Sequence, residues 1–464
     1  MRKKLLAVIA AAAMAVTMMP AMVFAAGTPV TTYEGLKAAV ENGGEVTLEN
    51  NIALEAPLQI SKNVILNLGD YDITPAEGFT GDNAVKDSLI VVNRGAHLTV
   101  NGNEGTIDAS DNNDEVRAGI KMTKNDDDAL NENMIAKLTV NGGIIKGDDY
   151  GIVGNGNRHG TEIIINGGKV ESDAYAIYHP QDGILTVNNG TIIGQTTGIE
   201  IRSGNLNING GVIIGNGESF SVGSNGNGTT TSGAAVAIAQ HTTGKEINVN
   251  ITGGTFEATA DDGYAIVASN PQGNNDVEEK VKITVNGGVF DGIVADNTAP
   301  GSDTPAIEDL GATLLINKGI LKKGYSIAGE HSGFSDAEDV VDVDYITYVG
   351  NDLVADALKN ATKDSEIYVY NDVDGMLVVP AGAKVYNFTG NTLNINGTDY
   401  EYEEPSAGEE LKPIEAPEAK APEEQKPEKS PETGDESNMA VPFAAAGLAL
   451  AAMAAAVAAR RRHN

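Results

Sequence analysis

Leu138-Thr139-Val140-Asn141-Gly142-Gly143 is the stretch whose reading decides the fold. The phrase, apolar–Thr/Asn–apolar–Asn–Gly–Gly, returns at 163–168, 185–190, 206–211, 249–254 and 283–288, with small variations. Looser copies stand at Asn67, Asn101, Asn317 and Asn396. A fixed phrase at a near-fixed period marks one supersecondary unit stacked on itself. The marks at Asn141, Asn166, Asn188 and Asn209 set a period of about 22 residues, and the longer gaps 209–252, 252–286 and 286–317 require insertions or a doubled coil.

Each period divides into three short apolar runs. The first precedes the Asn, and the second follows the glycines (Ile144-Ile145, Thr191-Ile192-Ile193, Val212-Ile213-Ile214). The third centres on Ile152, Ile177, Ile199, Ile238 and Ile266. Runs this short, alternating and bounded by Gly and Asn, are strands. Three strands per 22-residue turn predict an all-β chain, a right-handed parallel β-helix (a single-stranded solenoid) of nine or ten coils over 27–349. Leu, Ile and Val fill its lumen. At the repeated corner Asn141, Asn166, Asn188, Asn209 and Asn286 are expected to stack into an amide ladder, with glycine supplying positive φ.

Open ends of such a stack expose sheet edges and need covers. Thr31-Thr32-Tyr33-Glu34 reads as a helix start, Leu36, Ala39 and Val40 as its buried stripe, and Gly43 as its C-cap. A similar block recurs later: 353–360 is helical in pattern, and 366–369 echoes 45–48. Residues 350–402 therefore read as a terminal β-rich unit, a diverged repeat of 31–75.

The 464 residues carry a formal net charge of −34 and contain neither Cys nor Trp. That field repels phosphate backbones, so a nucleic-acid partner is excluded as an expectation. Thiol catalysis, disulfides and Cys-bound zinc fall away with the cysteines. Missing Trp weighs against a Trp-based sugar platform.

The two ends give an address. Arg2, Lys3 and Lys4 precede an apolar run, and small residues close it at Ala25-Ala26, which is the layout of a secretory signal peptide over 1–25. Near the other end, 403–432 is rich in Pro, Glu and Lys and reads as an extended, disordered linker. Ser430-Pro431-Glu432-Thr433-Gly434 follows, then an apolar run at 439–459 long enough to span a bilayer as a helix, then a basic tail at 460–464. This tripartite tail resembles the sorting signal of Gram-positive wall-anchored (LPxTG-type) surface proteins. Pro431, Thr433 and Gly434 match that pentapeptide, and Ser430 stands where the family has Leu. The resemblance implies that a sortase cuts between Thr433 and Gly434 and joins Thr433 to peptidoglycan. It covers about the last 35 residues of the chain.

Candidate chemistry is sparse. Alignment of the third strands on their Ile places Tyr178, Glu200, Arg202 and His241 together on the outer face. A row of small residues (Gly151, Ala176, Gly198, Ala237, Ala265) lies beside them as a shallow glycan groove. Asp111, Asp114, Asp126, Asp127 and Asp128 could supply oxygen ligands for Ca²⁺ but lack an EF-hand pattern. The architecture resembles pectate-lyase-like β-helices and β-helix adhesins, which implies a polysaccharide or host-surface ligand. Asp148-Asp149 and Arg158-His159-Gly160 look like fragments of a hydrolase site, yet no partner motif accompanies them and the mature chain has only four Arg (94, 117, 158, 202). Two readings stay open: a wall-anchored adhesin or display stalk for a host glycoprotein or glycan, and a cell-surface polysaccharide lyase or glycoside hydrolase. The insertions at 101–141 and 209–252 are where partner recognition is expected.

Overall fold

A computed structural model describes residues 27–79, 88–110, 116–123, 134–154, 159–217, 221–224, 229–241, 243–260, 263–270, 274–295, 313–322, 340–344, 346–370, 373, 375–403 and 411–418. The signal-like start, the Ca²⁺ candidates Asp111, Asp114 and Asp126 to Asp128, the pentapeptide 430–434, the apolar run 439–459 and the basic tail lie outside them. Among the described residues no helix is long and apolar enough to cross a membrane.

The repeat folds as its period demands. Strands Ala136–Val140, Ile144–Gly147 and Tyr150–Val153 make one coil, and His159–Ile165, Lys169–Ser172 and Tyr175–His179 make the next. Each strand pairs in parallel with its counterpart one coil away, Leu138 opposite Ile163, Ile145 opposite Val170, Ile152 opposite Ile177. Three parallel sheets result. The first runs from Thr28–Val30 to Thr313–Leu321. The second starts at Ile52–Leu54, and the third holds nine strands from Leu58–Ile60 to Ile293–Ala295. The molecule is thus mostly β, a parallel solenoid. Eleven first-sheet strands at about 4.8 Å give a ladder roughly 48 Å long.

One aliphatic core fills the lumen from Val30 to Val349. Fully burying a Leu or Ile contributes about 1.5–3 kcal/mol, so a stack of such rows dominates the favourable side. The corner forms as expected. The second glycine of each phrase has positive φ, from 77° at Gly168 to 109° at Gly288. Asn101, Asn141, Asn166, Asn188 and Asn209 each donate Nδ2–H to the Oδ1 of the preceding corner Asn at 2.8–2.9 Å. Asn67 starts the ladder on Glu45 and Thr47, and the Thr252 hydroxyl closes it on Asn209. At Asn286 the register shifts, and Lys318 rather than Asn317 stands opposite it. Asn396 stays outside the ladder. Its side chain instead bonds Val379 and the Pro417 carbonyl.

Helix Tyr33–Asn42 starts on Thr32, whose Oγ1 accepts from Gly35 N–H at 3.2 Å, and ends on Gly43 at φ 77°. Its residues Leu36, Ala39 and Val40 join the lumen core and cover the first coil. A second, smaller core draws on residues from Val341 to Ala416. There helix Asn351–Lys359 precedes Glu366–Val369, which pairs in parallel with Lys384–Asn387. Helix Tyr33–Asn42 likewise precedes Gly44–Leu48, parallel to Val64–Asn67. Part of the Pro-rich segment is ordered, which corrects the reading of 403–432 as wholly disordered. Ile414–Glu415 adds an antiparallel strand on Lys384–Val385 because Ala416 finds the second core and exchanges backbone bonds with Gly382 and Ala383.

Candidate functional site

Tyr178, Glu200 and Arg202 do come together, but not on an open surface. Arg202 Nη1 donates to Tyr178 Oη at 3.2 Å, and Arg202 Nε lies 3.9 Å from Glu200 Oε1. Glu200 and Arg202 are 0 % exposed and Tyr178 is 6 % exposed. Tyr150 and Tyr175 pack against Tyr178 with ring centroids 5.6 and 6.4 Å from it. Burial pushes the Tyr178 phenol up against the pull of Arg202, and burial with neighbouring Tyr178 and Asp149 pushes Tyr150 up further. Such a sealed ionic knot fixes local geometry, and removal of one partner from a buried pair costs about 3–5 kcal/mol. It offers no access for substrate.

His241 does not share the expected row. The strand Ala234–Ala239 aligns through Val236, not Ile238, with Ile199, so Ala237 stands beside Glu200. His241 lies further on, where its backbone N–H donates to the Arg202 carbonyl at 3.2 Å. Of the small residues, Gly151, Ala176, Gly198 and Ala265 face the other way, while Ala237, shifted in register, stays on the outer side. A Cβ on Gly151 would lie 2.6 Å from Val170 Cγ1, and one on Gly198 would lie 2.8 Å from Ile213 Cγ2, so these positions point into the lumen. They are small because second-sheet aliphatics fill the space, and the proposed groove does not exist. The third strands carry two consecutive inward positions, Ala176 and Ile177 in one coil, Ala235 and Val236 in another.

The three sheets consequently present different exteriors. Outside the third sheet, Ala234, Ala237, Tyr264 and Val267 form a separate buried apolar layer. The insertion 209–252 supplies an antiparallel hairpin, Ser221–Ser224 with Thr229–Ser232, against this sheet. Outside the second sheet runs a charged row: Asp108, Lys146, Glu171, Ile193, Ile214, Glu257 and Asp291. Lys146 reaches Asp108 at 3.5 Å and Glu171 at 3.3 Å, and Lys322 reaches Asp291 at 3.5 Å. Burial pulls the Lys146 ammonium down, but the two flanking carboxylates outweigh it and its pKa stands above the ordinary lysine value. These carboxylates are tied in ion pairs along a row that Ile193 and Ile214 interrupt.

Outside the first sheet one row of the surface is uncharged, with Lys137, Glu162 and Lys282 in the next row. Adjacent coils align Thr99, Thr139, Ile164, Thr186, Asn207, Asn250 and Thr284 in one row, beside the corner ladder. All are exposed or half-exposed. Asn248 donates to Asn205 at 3.2 Å and Asn250 to Asn207 at 3.4 Å, so amide ladders continue away from the corner. The sequence reading recognised the corner amides and missed this row, whose signal is the recurrent Thr or Asn two residues before each corner Asn.

Among the described residues no group of three or more His, Asp or Glu is placed to hold a metal ion. The His159 side chain and Arg158 lie outside the description, and Asp149 is paired with Arg117. Comparison with protein-family models, curated proteins and solved structures gives no match.

Proposed function

We propose that this is an exported surface protein, joined through Thr433 to peptidoglycan by a sortase, whose right-handed β-helix binds a host glycoprotein or glycan rather than transforming it. The observation that carries the binding reading is the contrast between exteriors. The Tyr178–Glu200–Arg202 cluster that the coils assemble on the third sheet is sealed, while the first sheet offers a long open polar row. Glycoside hydrolysis needs two carboxylates flanking one bond, about 5–9.5 Å apart, one of them able to hold a proton. In the outward rows of the third sheet the described residues supply Glu200 alone; in the second sheet Asp108, Glu171 and Asp291 are held by lysines, and Glu257 stands beside Asp291 as the one adjacent carboxylate pair of that row among the described residues. The anchoring reading rests on the order of linker, pentapeptide, apolar run and basic tail.

Two measurements test it. Thr433→Ala is expected to move the protein from the detergent-resistant wall fraction to the membrane and medium, and unchanged covalent wall association overturns the sortase reading. Incubation of the purified chain with polysaccharides is expected to release no new reducing or unsaturated ends. Product formation establishes the lyase or hydrolase reading instead.

A further inference from the structure

We infer that the uncharged strip outside the first sheet is a docking surface for a neutral polysaccharide lying along the solenoid axis. The inference deepens the binding reading above and rests on it.

The corner amides have a structural reason to be Asn, since each bonds the next. Two members of the row beside them are engaged, Asn207 by Asn250 at 3.4 Å and Thr139 by His97 Nε2 at 2.9 Å, yet nothing in the parallel pairing requires Thr99, Thr186 and Thr284 to be uncharged in a chain whose residues are 21% Asp, Glu, Lys and Arg. Yet from Thr99 to Thr284 this row holds no charge, and neither does the ladder from Asn101 to Thr252. The charges on this sheet sit on the far side of the row, as the Lys137–Glu162 pair at 2.6 Å and Lys282.

The hydrogen-bonding capacity left over suits a polyol. An amide side chain has two N–H donors and two acceptor lone pairs. The ladder uses one of each on Asn188 and on Asn166, leaving one of each toward solvent. A sugar hydroxyl also both donates and accepts, so one kind of group answers the other along the whole strip. The spacing is regular: neighbouring coils stand about 4.8 Å apart, close to the length of one pyranose unit. Six such steps separate Thr99 from Thr284, about 29 Å, room for roughly six sugars. Ile184, 42 % exposed, and Ile164 beside it provide apolar surface for ring C–H groups. The net charge of −34 selects against uronates and phosphate polymers, which it repels. The partner is therefore an uncharged glycan.

The test uses the purified full-length chain and three probes: cellohexaose, chitohexaose and hexagalacturonate. Binding of a neutral hexasaccharide is expected, strengthening from disaccharide to hexasaccharide, with none to hexagalacturonate. The double variant Thr186→Glu/Asn207→Glu is expected to weaken it by about tenfold or more, because each carboxylate removes donors and adds a charge to desolvate. The isosteric Thr186→Val is expected to weaken it a few-fold with unchanged melting. Lys146→Gln, on the charged sheet, is expected to change nothing. Failure of both neutral hexasaccharides to bind, or equal binding by the double variant at unchanged circular dichroism, overturns the strip. If wall attachment still depends on Thr433 and the protein still captures a host glycoprotein, the broader reading survives that failure. If both are lost as well, the broader reading falls too.

Discussion

His179 occupies a lumen position that its row fills with aliphatics: Ile201, Ile238 and Ala268 stand in register with it on the following coils. It is fully buried, and desolvation lowers its pKa from 6.5 to about 4 against the opposing pull of the Gly183 backbone and Asp182. The folded state holds the neutral imidazole, so between pH 6.5 and about 4 the unfolded chain binds the extra proton. Stability from this group is complete above pH 6.5 and is lost as pH falls, by about 3 kcal/mol at most. His179→Leu should therefore gain on the wild type in urea midpoint as pH drops from 7 to 4.5. A pH-independent difference between the two proteins would contradict this. The same scale explains what was legible. Corner amides announce themselves because Asn-Gly-Gly has one structural use, whereas a histidine read in isolation gives no sign of facing inward.

A strand is read from sequence by alternation, and alternation is what the third strands break. Two adjacent inward residues, Gly198 and Ile199 in one coil, break the alternation and reverse the side assignment before them. Strict period-two reading consequently put the small row outside. The register of Ala234–Ala239 was equally hidden. Val236 and Ile238 are both inward, and only the length of the preceding hairpin decides which one faces Ile199. The inward Gly row carries a direct test. Gly198→Val should destabilise by about 1–3 kcal/mol through overpacking against Ile213, read as a lower denaturation midpoint with unchanged slope. A neutral effect would return that row to the surface.

At the scale of the whole molecule, the period made the solenoid legible, and Thr32, Leu36 and Gly43 announced its N-terminal helical cover. The strand Ile414–Glu415 was not legible, because two apolar residues inside a Pro/Glu/Lys run look like composition noise, whereas the helix and strand of the second core were announced by their echo of the N-terminal block. Both ends of the stack are finished against further pairing. The first strand, Thr28–Val30, is three residues long and carries Pro29, and the last lies between Pro413 and Pro417. Short strands and prolines blunt sheet edges that would otherwise template another chain.

The strand Ile414–Glu415 also decides how a tethered molecule bears load. Any pull on the chain beyond residue 418 enters the fold through this clasp: the pairing with Lys384–Val385, the backbone bonds of Ala416, and the Asn396 amide on the Pro417 carbonyl. Few bonds close it, whereas hundreds of residues of parallel ladder lie behind it. Tension should open the clasp first and pay out residues 404–418, roughly 50 Å of slack at full extension, before any coil unwinds. Stretching single molecules from the C-terminus is expected to show one small step of that length at low force, ahead of larger events. Its absence would mean that the coils take the strain directly. Under load from the C-terminal side, the clasp would act as a mechanical fuse that spares the coils behind it.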